Sequence, residues 1–185
     1  KNLEASTNSM DILFLGTACM APTKERNHPA VLLTYKDQGI LFDCGEGTQR
    51  QIKLANVKMT KITKILLSHW HGDHALGIAG LIQTMGASEY QGTLDLYGPP
   101  GSKERFYHLF KAIPFKFKVQ LVIHEVSNGI IYENEEYKIE SQALDHNTPC
   151  NGYSFTVKPT RHILMEKIHA LRIPVGPLIG KLQNG

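Results

Sequence analysis

The chain has 185 residues, enough for a single domain with a substantial core. Its 42% hydrophobic and 20% charged content is that of an ordinary globular chain, and no apolar run approaches the roughly 20 residues needed to span a bilayer. A formal net charge of +3 permits a polyanionic partner without arguing for one.

Cys19, Cys44 and Cys150 form no CxxC pair and leave an odd count, which argues against a disulfide framework and for a reducing, cytoplasmic setting. The first nine residues, "KNLEASTNS", lack the apolar core of a signal peptide and read as a tag remnant or frayed end. "DILFLG" (Asp11–Gly16) is a strand closed by glycine, and "TACMAPTKERNH" has the composition of a surface loop. "AVLLTY" and "GILFDC" are two strands joined by the Lys36–Gly39 turn.

In "GEGTQRQIKLAN" the pattern switches to helix, with Thr48 and Gln51 at capping-box spacing. "KILLS" is a buried strand, and "ALGIAGLIQTMG" has apolar residues at helical intervals. A strand ("TLDLYG"), a helix ("SKERFYHLFKAI") and a meander ("VQLVIHEV", "GIIYEN", "EYKIESQAL") follow, then the strand "GYSFTV". Strands that both alternate with helices and run in hairpins predict an α/β fold with a mixed sheet. The pattern predicts one domain over residues 10–157. From Lys158 the chain carries five Lys or Arg against the single Glu166, with three prolines and three glycines, and reads as a basic helix and irregular extension outside the core.

"HWHGDH" supplies the chemistry. His69 and His71, two apart at a strand end, point to one face, and Asp73 and His74 follow Gly72 at a helix entrance. Imidazoles and a carboxylate without thiolate suit Zn²⁺ first, then Mn²⁺ or Fe²⁺. Four ligands in one turn crowd a single ion, so two ions are expected. His69 and His71 would hold one, and Asp73 and His74 the other, with further ligands from elsewhere. His146, in "ALDHNTPCNGYSF" after another apolar run, is the expected third ligand of the first ion. Asp145 could compete, although strand alternation points it away, and a plain surface histidine in a turn would read the same way.

H-x-H-x-D-H followed by a later histidine resembles the metallo-β-lactamase superfamily. Within it, "FLGTACMAPTKERN", "LFDCGEGTQRQI" and "HNTPCNGYSF" resemble ribonuclease Z, the tRNA 3′-processing endonuclease, in the expected order along the chain. The resemblance implies an αββα sandwich, two zinc ions, a cytoplasmic or nuclear homodimer, and endonucleolytic removal of the 3′ trailer from precursor tRNA. It assigns His69, His71 and His146 to the first zinc, and Asp73 and His74 to the second, with Asp73 also the proton acceptor. Asp43 matches a buried acid near the site, or simply caps a turn. Lys24 and Arg26 lie in the loop that faces tRNA, where phosphate contacts would position a substrate without reading its sequence; plain solvation is the alternative. Gly176 and Pro177 fall in a stretch resembling the arm that holds the tRNA elbow, although the leucines and isoleucines around them could instead pack on the body.

The resemblance places a bridging aspartate and a last zinc histidine beyond this sequence, and no aspartate occurs after Asp145. The chain is therefore expected to be the N-terminal half plus the start of the arm, weak or inactive alone. Two rival readings share its features: a superfamily hydrolase of thioester, lactone or phosphodiester, and a non-catalytic tRNA-binding half.

Overall fold

The structure, a computed structural model, describes residues 9–114, 118–159, 164–174, 176 and 179. Strands β1 (Met10–Gly16), β2 (Ala30–Tyr35) and β3 (Gln38–Phe42) pair antiparallel. Helix α1 (Thr48–Leu54) then carries the chain to β4 (Ile62–Leu66), which lies parallel to β3. The short helix α2 (Gly72–Ala75) and α3 (Gly77–Ala87) lead to β5 (Thr93–Gly98), and α4 (Ser102–Lys111) leads to β6 (Gln120–Glu125), both strands again parallel to their neighbours. The six strands lie in sequence order in one mixed sheet. Strands β7 (Gly129–Glu133), β8 (Tyr137–Leu144) and β9 (Cys150–Val157) form a second, antiparallel sheet, followed by α5 (Met165–Ala170).

Strand alternation builds two cores. Leu32, Leu41, Ile65 and Leu96 face one way and pack with Ile52 of α1, Ile78, Leu81 and Met85 of α3, and Phe106 of α4. Their neighbours Leu33, Ile40, Leu66 and Tyr97 face the other way and pack with Tyr137 and Ile139 of β8. Each such side chain contributes roughly 1.5–3 kcal/mol on burial. The result is helix on sheet on sheet, three of the four layers of an αββα sandwich. The inner face of β1 is uncovered: Met10, Ile12 and Phe14 are exposed beside Val31, Leu33, Phe42 and Phe155.

Several boundaries differ from the sequence reading, for local reasons. β3 ends at Phe42 and not at Cys44, because Asp43 turns to φ 57° and its N–H donates to the Leu66 carbonyl. Thr48 is not the N-cap: Gly47 is, at φ 80°, and Thr48 instead donates its hydroxyl to the Gly45 carbonyl at 2.7 Å. A left-handed cap suits glycine and would strain threonine. The helix expected over 75–86 is split at Leu76, where the Gly77 N–H bonds the Cys44 carbonyl, outside the helix. β4 runs two residues earlier than expected, and β9 starts two earlier because Leu144 pairs with Cys150. In α5, Ile168 is buried, so the basic segment is not wholly outside the packed interior.

The turn after β3 lies hard against the motif turn. A methyl on Gly45 would collide with the Asp73 carbonyl oxygen and with His28 Cβ. Gly45→Ala is therefore expected to cost about 1–3 kcal/mol through overpacking. Gly80→Ala, in mid-α3, would meet only the flexible Gln49 amide and should be neutral or stabilising. Urea unfolding midpoints of the two variants check the contrast.

Candidate metal centre

Parallel strands β3 and β4 end at the same edge, and their C-terminal loops face each other there. The stretch after β4 is held from three sides. The Leu67 N–H bonds the Tyr97 carbonyl, the Leu67 carbonyl accepts from the Tyr153 hydroxyl, and the Ser68 carbonyl accepts from the Asn151 N–H. The last two bonds tie β9 to the end of β4, and so bring the loop between β8 and β9, with His146, over His69.

His69 and His71 fall on one side of the chain, as H-x-H spacing dictates. His69 Nε2 lies 3.1 Å from His71 Nδ1. The His146 ring centroid is 4.8 Å from that of His69 and 5.1 Å from that of His71. One ring nitrogen from each of the three lies within 4.8 Å of the others. The residue between the first two points away: Trp70 stacks edge-on against Phe106 at 4.7 Å and donates its indole N–H to Ser102 Oγ at 2.8 Å.

Asp73 and His74 occupy the first turn of α2. His74 Nε2 and Asp73 Oδ2 are 3.6 Å apart, and the Met20 N–H donates to that same carboxylate oxygen at 3.0 Å. His74 Nδ1 bonds Asp43 Oδ2 at 2.7 Å. Asp43 also accepts the Ser68 N–H at 2.7 Å and the Ser68 hydroxyl at 2.9 Å, while Ser68 Oγ lies 2.9 Å from His69 Nδ1. These bonds assign the tautomers. With Ser68 donating to Asp43, its oxygen accepts from His69 Nδ1–H, and His74 Nδ1–H donates to Asp43. Nε2 is then the unprotonated nitrogen in both His69 and His74, the one that can offer a lone pair to a metal. Asp43 therefore bonds Ser68 and His74, far along the chain, and through them sets two imidazoles.

The donor set suits a divalent first-row metal. Four-coordinate zinc with Zn–N near 2.0–2.1 Å spaces its nitrogens at about 3.3 Å, and the His69–His71 pair stands at 3.1 Å. Burial, and then the neighbouring His74, lower the His69 pKa to about 4, so this ring is neutral at pH 7, as a ligand must be. The hydrogen bond to Asp43 raises the pKa of His74. Burial pushes the Asp73 carboxyl up, but the Met20 amide and the nearby histidines outweigh it and the net shift is down. Cys44 beside Asp43 is fully buried, its thiol pushed up to about 12, and is no ligand.

A cleft of about 740 Å³ opens beside these groups, lined by Met20, Pro22, His28, Glu46, His71 and Asp73 among others. Lys24 and Arg26 sit exposed in the same loop, which folds on itself as the Arg26 N–H donates to Thr23 Oγ1. Neither residue lines the cleft. Gly176 is exposed, and Pro177 lies outside the described residues. Sequence reasoning missed Ser68, Met20 and His28. Ser68 was open to discovery as a hydroxyl directly before the first histidine of the motif; the other two carried no signal.

A family model described as "Anti-Pycsar protein Apyc1" matches residues 10–174. The chain belongs to that family. Its resemblance to ribonuclease Z extends over nearly the whole sequence. It is 41% identical over 176 residues to a ribonuclease Z of Methanothermobacter thermautotrophicus, covering 95% of this chain and 57% of that protein. The corresponding protein of Methanosarcina acetivorans is 42% identical over 177 residues, covering 94% and 57%. The crystal structure of human tRNase Z, short form, superposes with a TM-score of 0.74 at 28% identity, over 79% of this chain and 64% of that one. The fold is that of the metallo-β-lactamase proteins. The chain spans about 57% of the length of the curated relatives it matches.

Two outcomes follow from the hydrogen-bond network. In metal-free protein, a His69 pKa near 4, below the ordinary value of about 6.5, means the unfolded state binds the extra proton first. The His69 contribution is therefore present above about pH 6.5 and lost as pH falls towards 4. His74, with a raised pKa, contributes in the opposite sense: its stabilisation is present at low pH and lost as pH rises through its folded value. Urea unfolding across this range should show the acid-side slope, and His69→Gln should flatten it. Asp43→Asn should weaken metal affinity about 10–100-fold by releasing both imidazoles, measurable by competition with a chromophoric chelator.

Proposed function

We propose that the whole protein is a zinc-dependent endoribonuclease that removes the 3′ trailer from precursor tRNA by phosphodiester hydrolysis. The observation that carries this reading is the meeting of His69, His71 and His146, with Asp73 and His74 alongside, beside a cleft whose rim is the loop bearing Lys24 and Arg26. The ribonuclease Z names of its relatives support it.

His69, His71 and His146 would hold one zinc, and Asp73 and His74 would contribute to a second. Zinc, when bound, supplies Lewis acidity and lowers the pKa of water. Asp43 and Ser68 orient His69 and His74. The Asp73 carboxylate, ionised at neutral pH, accepts the proton of the attacking water. Lys24 and Arg26 bind backbone phosphates and place the substrate, and the segment with Gly176 and Pro177 serves as the start of an arm that reaches the body of the tRNA. Family resemblance further supports a homodimer in the cytoplasm. Among the described residues no helix is long and apolar enough to cross a membrane.

A second reading, hydrolysis of a small phosphodiester, is favoured by one observation: Lys24 and Arg26 stand outside the lining of the cleft. Assays of the whole protein on precursor tRNA and on bis(p-nitrophenyl) phosphate separate the two. On the tRNA reading, Asp73→Ala abolishes cleavage of both substrates and lowers zinc content. Neutralising Lys24 and Arg26 together raises KM for tRNA and reduces its logarithmic salt dependence by about 2, leaving the small substrate untouched. Indifference of tRNA cleavage to that double variant, or absence of tRNA cleavage, would favour the second.

A further inference from the structure

His28 is buried to 5% exposure at the back of the metal cleft, and its Nδ1 has no hydrogen-bond partner among the described residues. A phenylalanine would fill the same space without an orphaned nitrogen, so packing alone does not account for an imidazole there. The other nitrogen has work to do. His28 Nε2 lies 3.3 Å from the Met20 carbonyl oxygen, and as Nε2–H it donates to it. Met20 is held at φ 58°, a left-handed conformation that a bulky side chain rarely adopts, and the residue is 84% exposed, so burial does not compensate. That conformation aims the Met20 N–H at Asp73 Oδ2, 3.0 Å away. The same oxygen lies 3.6 Å from His74 Nε2, beyond hydrogen-bond distance.

We propose that His28 is a positioning residue: by gripping the Met20 carbonyl it keeps the Met20 N–H on the Asp73 carboxylate, and so fixes the direction in which that carboxylate presents itself to a metal ion. His28 is well braced for this, since its Cβ packs where Gly45 has no side chain. The inference rests on Asp73 being a metal-facing carboxylate, as in the function proposed above. It adds a residue outside the H-x-H-x-D-H motif, and it links the loop that carries Lys24 and Arg26 to the motif through a single residue, Met20.

The test uses His28→Phe and His28→Gln in the protein, the glutamine amide replacing the imidazole Nε2–H donor. Two quantities are read: hydrogen-exchange protection of the Met20 amide without metal, and Zn²⁺ affinity. His28→Phe is expected to keep or raise the urea midpoint, yet to lose most Met20 protection and to bind zinc about tenfold more weakly. His28→Gln should restore both. Unchanged protection and affinity in His28→Phe, or a His28→Gln variant as impaired as His28→Phe, would overturn the proposal. Because Met20 protection is read without metal, failure of the unmutated protein to bind zinc would overturn the proposed function separately, and the exchange data would still decide the clip.

Discussion

One carboxylate organises the cleft. Asp43 sits in a left-handed backbone conformation just past the end of β3 and takes donors from Ser68 and His74, which belong to the loop of the neighbouring strand. A non-glycine residue there costs on the order of 1–3 kcal/mol, a cost offset by charge-assisted hydrogen bonds in a half-buried setting. Because the Asp43 bonds fix which ring nitrogens carry protons, they also fix which nitrogens of His69 and His74 keep a lone pair. The donor geometry of the motif is therefore set as much by a residue 26 positions upstream of His69 as by the motif itself.

The architecture explains how groups so far apart in sequence converge. Parallel pairing of β3 with β4 puts the Asp43 turn and the motif turn at one edge. The inter-sheet core of Leu33, Ile40, Leu66, Tyr97, Tyr137 and Ile139 fixes the second sheet against the first. Asn151 and Tyr153 then register β9 on the end of β4 by direct hydrogen bonds, the Asn151 amide also reaching the Val126 carbonyl. Displacing that register would carry His146 away from His69 without disturbing either strand internally.

Much of this was legible in the sequence because it depends on side-chain type and spacing. Alternating apolar runs marked the strands of both sheets, and H-x-H-x-D-H marked the turn where imidazoles gather. What escaped depends on the main chain. The left-handed Asp43 and Met20, the end of β3 at Phe42, and the Gly47 cap all follow from contacts between segments far apart in the chain. Thr48 looked like a cap because its spacing to Gln51 is right, but tight packing of the Gly45–Gly47 turn against the Asn27–His28 segment gave the cap to a glycine. Lys24 and Arg26 were placed correctly in a loop, but a loop assignment could not say which of its residues turn inward. Met20, Ala21 and Pro22 line the cleft, and the two cations do not.

The side chain between the two motif histidines has a spectroscopic consequence. Trp70 is the chain's single tryptophan, and the geometry that brings His69 and His71 together drives its indole to the opposite side, wedged on Phe106 and tethered to Ser102. All indole emission therefore arises one residue from each of the two imidazoles. A paramagnetic or quenching cation such as Co²⁺ or Cu²⁺ seated there lies close enough to darken it, and the chain carries its own optical gauge of occupancy without any added label.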